Sequence, residues 1–296
     1  MTFETIDLIF NVILFLFWIR IWGRQDRLAF FNPYILALGR LPLAAINMLQ
    51  PAFRRLPERV VAILIFVLLI VLRALAGPQD TGLWHITMGF ASMSLPPEAG
   101  PGSYVLFSLL SFAAFLFRVW GLSILYLAFA SIPPAQQTGA ALHFMSMPFT
   151  RINQTWRPAV LLGVGMVIGL LAVIGLHTAI TVIGVRASGP LIAGDLSSRT
   201  FVQTFLMACS GWTDILLVMQ QFMIIFIIGS IISMLTGSGS VSFLCREWID
   251  FLLGPLRNYP LRIGMFDLTP WIFIFLVFYA HGFLNAMLLR SFYRLL

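Results

Sequence analysis

Apolar residues gather along the chain in six long blocks, separated by stretches in which Arg, Pro, Gly and Ser return. The blocks run from about Ile6 to Trp22, Val60 to Ala76, Tyr104 to Pro133, Ala159 to Val185, Ile215 to Leu235 and Trp271 to Leu289. Each is long enough to cross a hydrocarbon core of about 30 Å as a helix. A backbone in lipid must satisfy its own hydrogen bonds, which leaves helices or closed barrels. Barrel strands alternate over short segments, and these blocks do not. The pattern predicts an all-α, polytopic membrane protein with about six transmembrane helices.

The blocks pair into units. "FLFWIRIWG" ending at Gly23 matches "AAFLFRVWG" ending at Gly121, with Arg20 over Arg118 and Trp22 over Trp120 at an offset of 98. "LQPAFRRL" around Pro51 matches "MSMPFTRI" around Pro148 at an offset of 97. Two landmarks held at nearly one spacing point to an internal repeat. A looser third copy has "FLLGPLRNYP", with Pro255 and Arg257 at the Pro-Arg position. The expected organisation is three helix–amphipathic linker–helix repeats at 1–77, 101–185 (divergent) and 203–290. Segments 78–100 and 186–202 would be connectors.

Composition supports the lipid solvent. Hydrophobic residues make up 60% of the 296, charged residues 10%, and the mean hydropathy is +0.96. Soluble domains carry about 25% charged residues. The net charge of +7 is read as orientation of loops rather than binding of nucleic acid. All 18 basic residues are Arg. Twelve Arg fall in the linkers within units and five on the opposite face, Arg118 being set aside. That bias places the linkers in the cytoplasm and both termini outside. Glu4 and Asp7 precede the first block and basic residues follow it, so it reads as a retained helix rather than a signal peptide. Cys209 and Cys245 have no metal-ligand spacing, and the four His residues are scattered. No cofactor or metal is expected.

The motifs in copies one and three resemble the YggT family repeat. Copy one supplies Arg20, a Phe31-Asn32-Pro33 turn and a basic end with Pro51, Arg54, Arg55 and Pro57. Copy three supplies Pro255, Leu256, Arg257 and Pro260, then Phe266-Asp267-Leu268-Thr269-Pro270. The chain departs from the family in having three repeats, and copy two lacks both the Asn-Pro turn and the Asp-Leu-Thr-Pro element. The resemblance implies a small integral membrane protein of bacteria or plastids. Its associated roles include assembly of membrane complexes, membrane or nucleoid organisation, and osmotic or ion stress.

Several residues are candidates for a role. The linkers read as amphipathic helices lying in the interface, with Leu244, Trp248, Phe251 and Leu252 at helical spacing. Arg54, Arg55, Arg151, Arg246, Trp248 and Arg257 are expected to contact lipid or a partner. Arg118 lies in an apolar stretch of about 42 Å at 1.5 Å per residue, and is expected to snorkel to the interface with Ile124 to Ala130 starting the linker. The alternative is a buried functional charge partnered by Gln220 and Gln221. Asp214 reads as a cap opening the fifth helix, with a proton relay as the alternative. Asp267 before Thr269-Pro270 reads as a helix start. Gly163, Gly165, Gly169 and Gly175 would let helices approach closely.

The expected function is that of a non-enzymatic scaffold, accessory subunit or assembly factor of the bacterial inner membrane. Its partners would be membrane lipids and other integral membrane proteins or further copies of itself, not nucleic acid. The alternative is an ion channel or transporter-like role in osmotic or ion homeostasis. An enzyme is the least expected class, since no nucleophile–base pair or metal set stands out.

Overall fold

The helices form where the apolar blocks predict them, and two connectors add short strands. A computed structural model of the chain describes residues 3–22, 33–76, 84–89, 91–95, 99–130, 149, 157–183, 186–188, 198–237, 239–263 and 266–295. The elements are α1 (Phe3–Trp22), α2 (Pro33–Leu49), α3 (Glu58–Ala76), β1 (His85–Met88), β2 (Ala91–Ser94), α4 (Pro101–Ala130) and α5 (Pro158–Ile183). They continue as β3 (Arg186–Ser188), α6 (Ser198–Leu235), α7 (Gly239–Leu253), a 3-10 turn (Gly254–Asn258), β4 (Arg262–Ile263), β5 (Phe266–Asp267) and α8 (Thr269–Tyr293).

Among the described residues, four helices are long and apolar enough to cross a membrane: α3 over Glu58–Ala76, α4 over Pro101–Leu125, α6 over Phe201–Leu235 and α8 over Thr269–Tyr293. The chain is thus mostly helical and suited to a membrane. The other two expected spans are also helices: α1, 20 residues, and α5, 26 residues. The strands correct the all-α expectation. Residues 85–88 and 91–94 pair antiparallel, and 92–94 pair with 186–188. Gly89, at φ +63, begins the two-residue hairpin turn, where a positive φ is needed and Gly supplies it without strain.

The chain divides into two compact units. The first comprises 1–117, 147–150 and 174–193. In it α1 packs along α3, and the amphipathic α2 packs against both. Leu14, Phe17, Val61, Ile65 and Phe107 are buried. An aromatic cluster joins three helices: Trp18 lies 6.1 Å from Phe66 and 5.9 Å from Phe112, and Phe66 lies 5.2 Å from Phe112 edge-on. Aromatic pairs in such edge-to-face contact add about 0.5–1.5 kcal/mol beyond the area they bury.

The second unit comprises 118–146, 151–173 and 194–296. Its α6 is the axis, packed by α7 and α8. At 38 residues it is about 57 Å long, well beyond the bilayer core of about 30 Å. It ends at Gly237, whose φ of +70 is the left-handed conformation that closes many helices. The amphipathic α7 turns its apolar face onto α6. Cys245, Trp248 and Leu252 are buried there, and Trp248 stacks on Phe226 at 4.9 Å. Gly229 faces Cys245, and a β-carbon added to it would meet the sulfur at 3.0 Å. Burial pushes the Cys245 thiol pKa up.

Candidate functional site

Two clusters of polar groups are buried among the apolar helices, one in each unit. In the first unit, Asp7 and Asn11 stand one turn apart on α1, Arg73 comes from the last turn of α3 and Ser111 from α4. The Arg73 Nε donates to Asp7 Oδ1 at 3.1 Å, Nη1 to Asn11 Oδ1 at 2.9 Å, and Nη2 to Asp7 Oδ1 and to Ser111 Oγ at 2.5 Å. Asp7 also accepts from Asn11 Nδ2 at 3.2 Å, Ser111 Oγ at 3.1 Å and Trp84 Nε1 at 3.0 Å. The Trp84 ring, just before β1, lies 5.3 Å from the guanidinium carbon in cation–π contact. The Arg73 side chain is 1% exposed.

This cluster is a closed knot. Desolvating an ion pair costs several kcal/mol per ion unless further hydrogen bonds complete both partners. Here a guanidinium, an amide, an indole and a hydroxyl all supply them. At the other end of the same hairpin Arg20 pairs with Glu58, the first residue of α3, with Nε at 3.0 Å from Oε1. The two rungs are thirteen residues apart on α1, about 20 Å, which is less than the hydrocarbon thickness.

In the second unit, Arg118 of α4 donates from Nη2 to Asp214 Oδ2 of α6 at 2.9 Å. The Asp214 Oδ1 lies 3.4 Å from His281 Nε2 of α8. The same nitrogen is 2.8 Å from Asn285 Nδ2, one turn on. Asn285 Oδ1 is 2.6 Å from the hydroxyl of Thr213, which also reaches the carbonyl of Ser210 at 2.6 Å. Asp214 is 1% exposed at its side chain, while Arg118 is 19% and His281 16% exposed. His281 stands twelve residues from each end of α8, about 18 Å from either. Ionisable groups at such a depth are expensive and mark function by default.

These positions correct the reading of the sequence at two points. Asp214 does not cap a helix, because α6 begins at Ser198 and places it four turns inside. Arg118 does not snorkel: α4 continues unbroken to Ala130 and the guanidinium turns to Asp214. Gln221 is exposed on α6 and Gln220 half-buried. Ser210, Gly211, Trp212 and Thr213, before Asp214, all belong to the helix. His281, Asn285 and Thr213 were missed as a group because they meet across 72 residues of chain. A His and an Asn at i and i+4 on one apolar helix was the available signal.

Of the linker residues, Arg54, Arg55 and Arg246 are exposed. Arg257, also exposed, pairs with Asp250 at 3.1 Å. Partial burial raises the pKa of the Asp250 carboxyl first, the nearby Asp267 adds to this, and Arg257 and Arg246 oppose it. Trp248 is not a lipid or partner contact: its ring is buried against α6. Arg151 and Asn32 lie outside the described residues. Pro33 opens α2, and Pro51 lies in the exposed turn after it. Pro255 is in the 3-10 turn. Asp267 Oδ1 accepts from the Thr269 amide at 2.9 Å, and Pro270 stands in the first turn of α8, so that element starts its helix as expected.

Close packing supports the second site. Trp212, two residues before Asp214, lies against Gly165 of α5, where a β-carbon would collide with its ring, and at Gly121 of α4 a β-carbon would collide with Ile215 and meet the Trp212 ring at 3.2 Å. Gly163 faces open space. No family model, curated protein or solved structure matches the chain. The resemblance to the YggT family rests on the motif residues themselves.

Proposed function

We propose that the chain is a non-enzymatic protein of the bacterial inner membrane that serves as a scaffold or accessory subunit of a membrane complex. It would cross the bilayer six times, in YggT-like helix–linker–helix units, with its linkers in the cytoplasm. The observation that carries this reading is the closed Asp7–Arg73 knot together with the Arg20–Glu58 rung. Charge within the first unit is spent on holding helices together rather than on lining a hydrophilic path. In the first linker Arg54 and Arg55 are exposed along with Met48 and Phe53, and in the third linker Arg246 is exposed along with Phe243. Basic and apolar groups side by side suit a headgroup surface or a partner there.

Purification from the native membrane in mild detergent tests the reading. A scaffold or accessory subunit brings a membrane protein with it in fixed stoichiometry, and substituting Arg54 and Arg55 by Ser loosens that association. Recovery of the chain alone contradicts it. A second reading, a channel or transporter-like role, is favoured by one observation: the Arg118–Asp214–His281 network in the middle of helices that fit a membrane.

A further inference from the structure

The two buried clusters differ in one chemical respect. In the first, each contact to Asp7 comes from a group that keeps its protons through the physiological range: guanidinium, amide, indole and hydroxyl. In the second, the place opposite the carboxylate is taken by an imidazole, the side chain whose charge changes between pH 5 and 8.

Its surroundings are built for two states. The Nε2 atom of His281 has an amide nitrogen at 2.8 Å and a carboxylate oxygen at 3.4 Å. The amide donates to Nε2 only if that nitrogen carries a lone pair. The carboxylate accepts from it only if it carries a proton. One nitrogen cannot do both. Beyond it, the Thr213 hydroxyl has one proton and two acceptors, Asn285 Oδ1 and the Ser210 carbonyl, both at 2.6 Å. The network therefore closes in two ways. With a lone pair on Nε2, the Asn285 NH₂ donates to the ring and the Thr213 hydroxyl donates to Asn285 Oδ1. With a proton on Nε2, the amide turns over. The ring then donates to Asn285 Oδ1 and Asp214, the amide donates to Thr213 Oγ1, and the Thr213 hydroxyl turns to Ser210. Neither state leaves the amide or the hydroxyl without a partner, and which way an amide points is set by such a network.

We propose that His281 Nε2, held between Asp214 of α6 and Asn285 of α8, is a reversible proton-binding site at mid-span, with Asn285 and Thr213 as the two-state relay that accommodates it. The ligand is a proton from water. It binds the Nε2 lone pair, no covalent bond breaks, and the cluster gains one positive charge. Asp214 from α6 faces that charge, with Arg118 from α4 behind the carboxylate. The α7 helix carries Arg246, Glu247 and Asp250, but meets α6 at Phe226, twelve residues or about 18 Å along from Asp214. On α8 itself Arg290 lies nine residues away and Tyr279 is exposed. The site stands whether the chain is a scaffold or a transporter.

The test is ¹⁵N NMR of the full chain in lipid nanodiscs with labelled histidine and asparagine, His281→Gln identifying the ring signals. Between pH 8 and pH 5 the Nε2 signal moves from the lone-pair to the protonated form, and the Asn285 amide signals move in the same step. Asp214→Asn weakens proton affinity about tenfold or more, as expected for loss of an opposite charge at this distance. Thr213→Val, similar in shape but without the hydroxyl, uncouples the amide signals from the ring. A ring in the same form at both pH values overturns the proposal, and needs only the wild-type chain. An Asp214→Asn affinity equal to that of wild type also overturns it.

Discussion

Arg73 sets the energetic scale at the level of the residue. It is fully buried and donates to Asp7, Asn11 and Ser111. Substituting it by Met leaves the Asp7 carboxylate with no counter-charge, and breaking one side of a buried pair costs about 3–5 kcal/mol. Unfolding of Arg73→Met by SDS in mixed micelles should show a loss of that order. The double variant Asp7→Leu/Arg73→Met should recover most of it, because no orphaned charge remains. An equal loss in single and double variants would mean that packing by the Arg stem, not the ion pair, is what matters.

Elements were more legible than their partnerships. The apolar blocks placed the four helices long enough to cross a membrane, because a helix in lipid needs an unbroken run, and Asp267-Leu268-Thr269-Pro270 marked the start of α8 because an acid and a Pro belong in a first turn. The α7 helix was visible as an amphipathic stretch, but the partner of its apolar face was not: periodicity shows that Trp248 is buried without saying whether lipid or Phe226 covers it. Asp214 was misread for the same kind of reason. Ser-Gly-Trp-Thr before an acid has the local chemistry of a helix start, but α6 runs through it, with Trp212 and Ile215 packed against Gly165 and Gly121. That packing predicts a graded series. Gly121→Ala and Gly165→Ala should each destabilise by about 1–3 kcal/mol through overpacking. Gly163→Ala, facing open space, should be neutral or slightly stabilising, since Ala favours a helix. Thermal unfolding in detergent would check all three, and an equal effect at Gly163 would remove the Ile215 and Trp212 contacts as the cause.

At the scale of the molecule, composition points to lipid as the solvent, but it does not foretell the short strands or Trp84 closing over Asp7. Such contacts join residues up to 96 positions apart, and nothing local encodes them. What the account requires is that the linker ends and the β1–β2 hairpin lie on opposite sides of a bilayer, with both buried clusters between them. Substituted-cysteine accessibility tests this most directly, with Cys209 and Cys245 replaced by Ser and single cysteines placed at the exposed positions Arg55, His85 and Arg257. In cells with a permeable outer membrane and an intact inner membrane, a membrane-impermeant thiol reagent should label position 85 alone. Positions 55 and 257 should react only after the inner membrane is opened. Labelling of 55 or 257 from outside, or equal labelling of all three before the membrane is opened, would contradict the account.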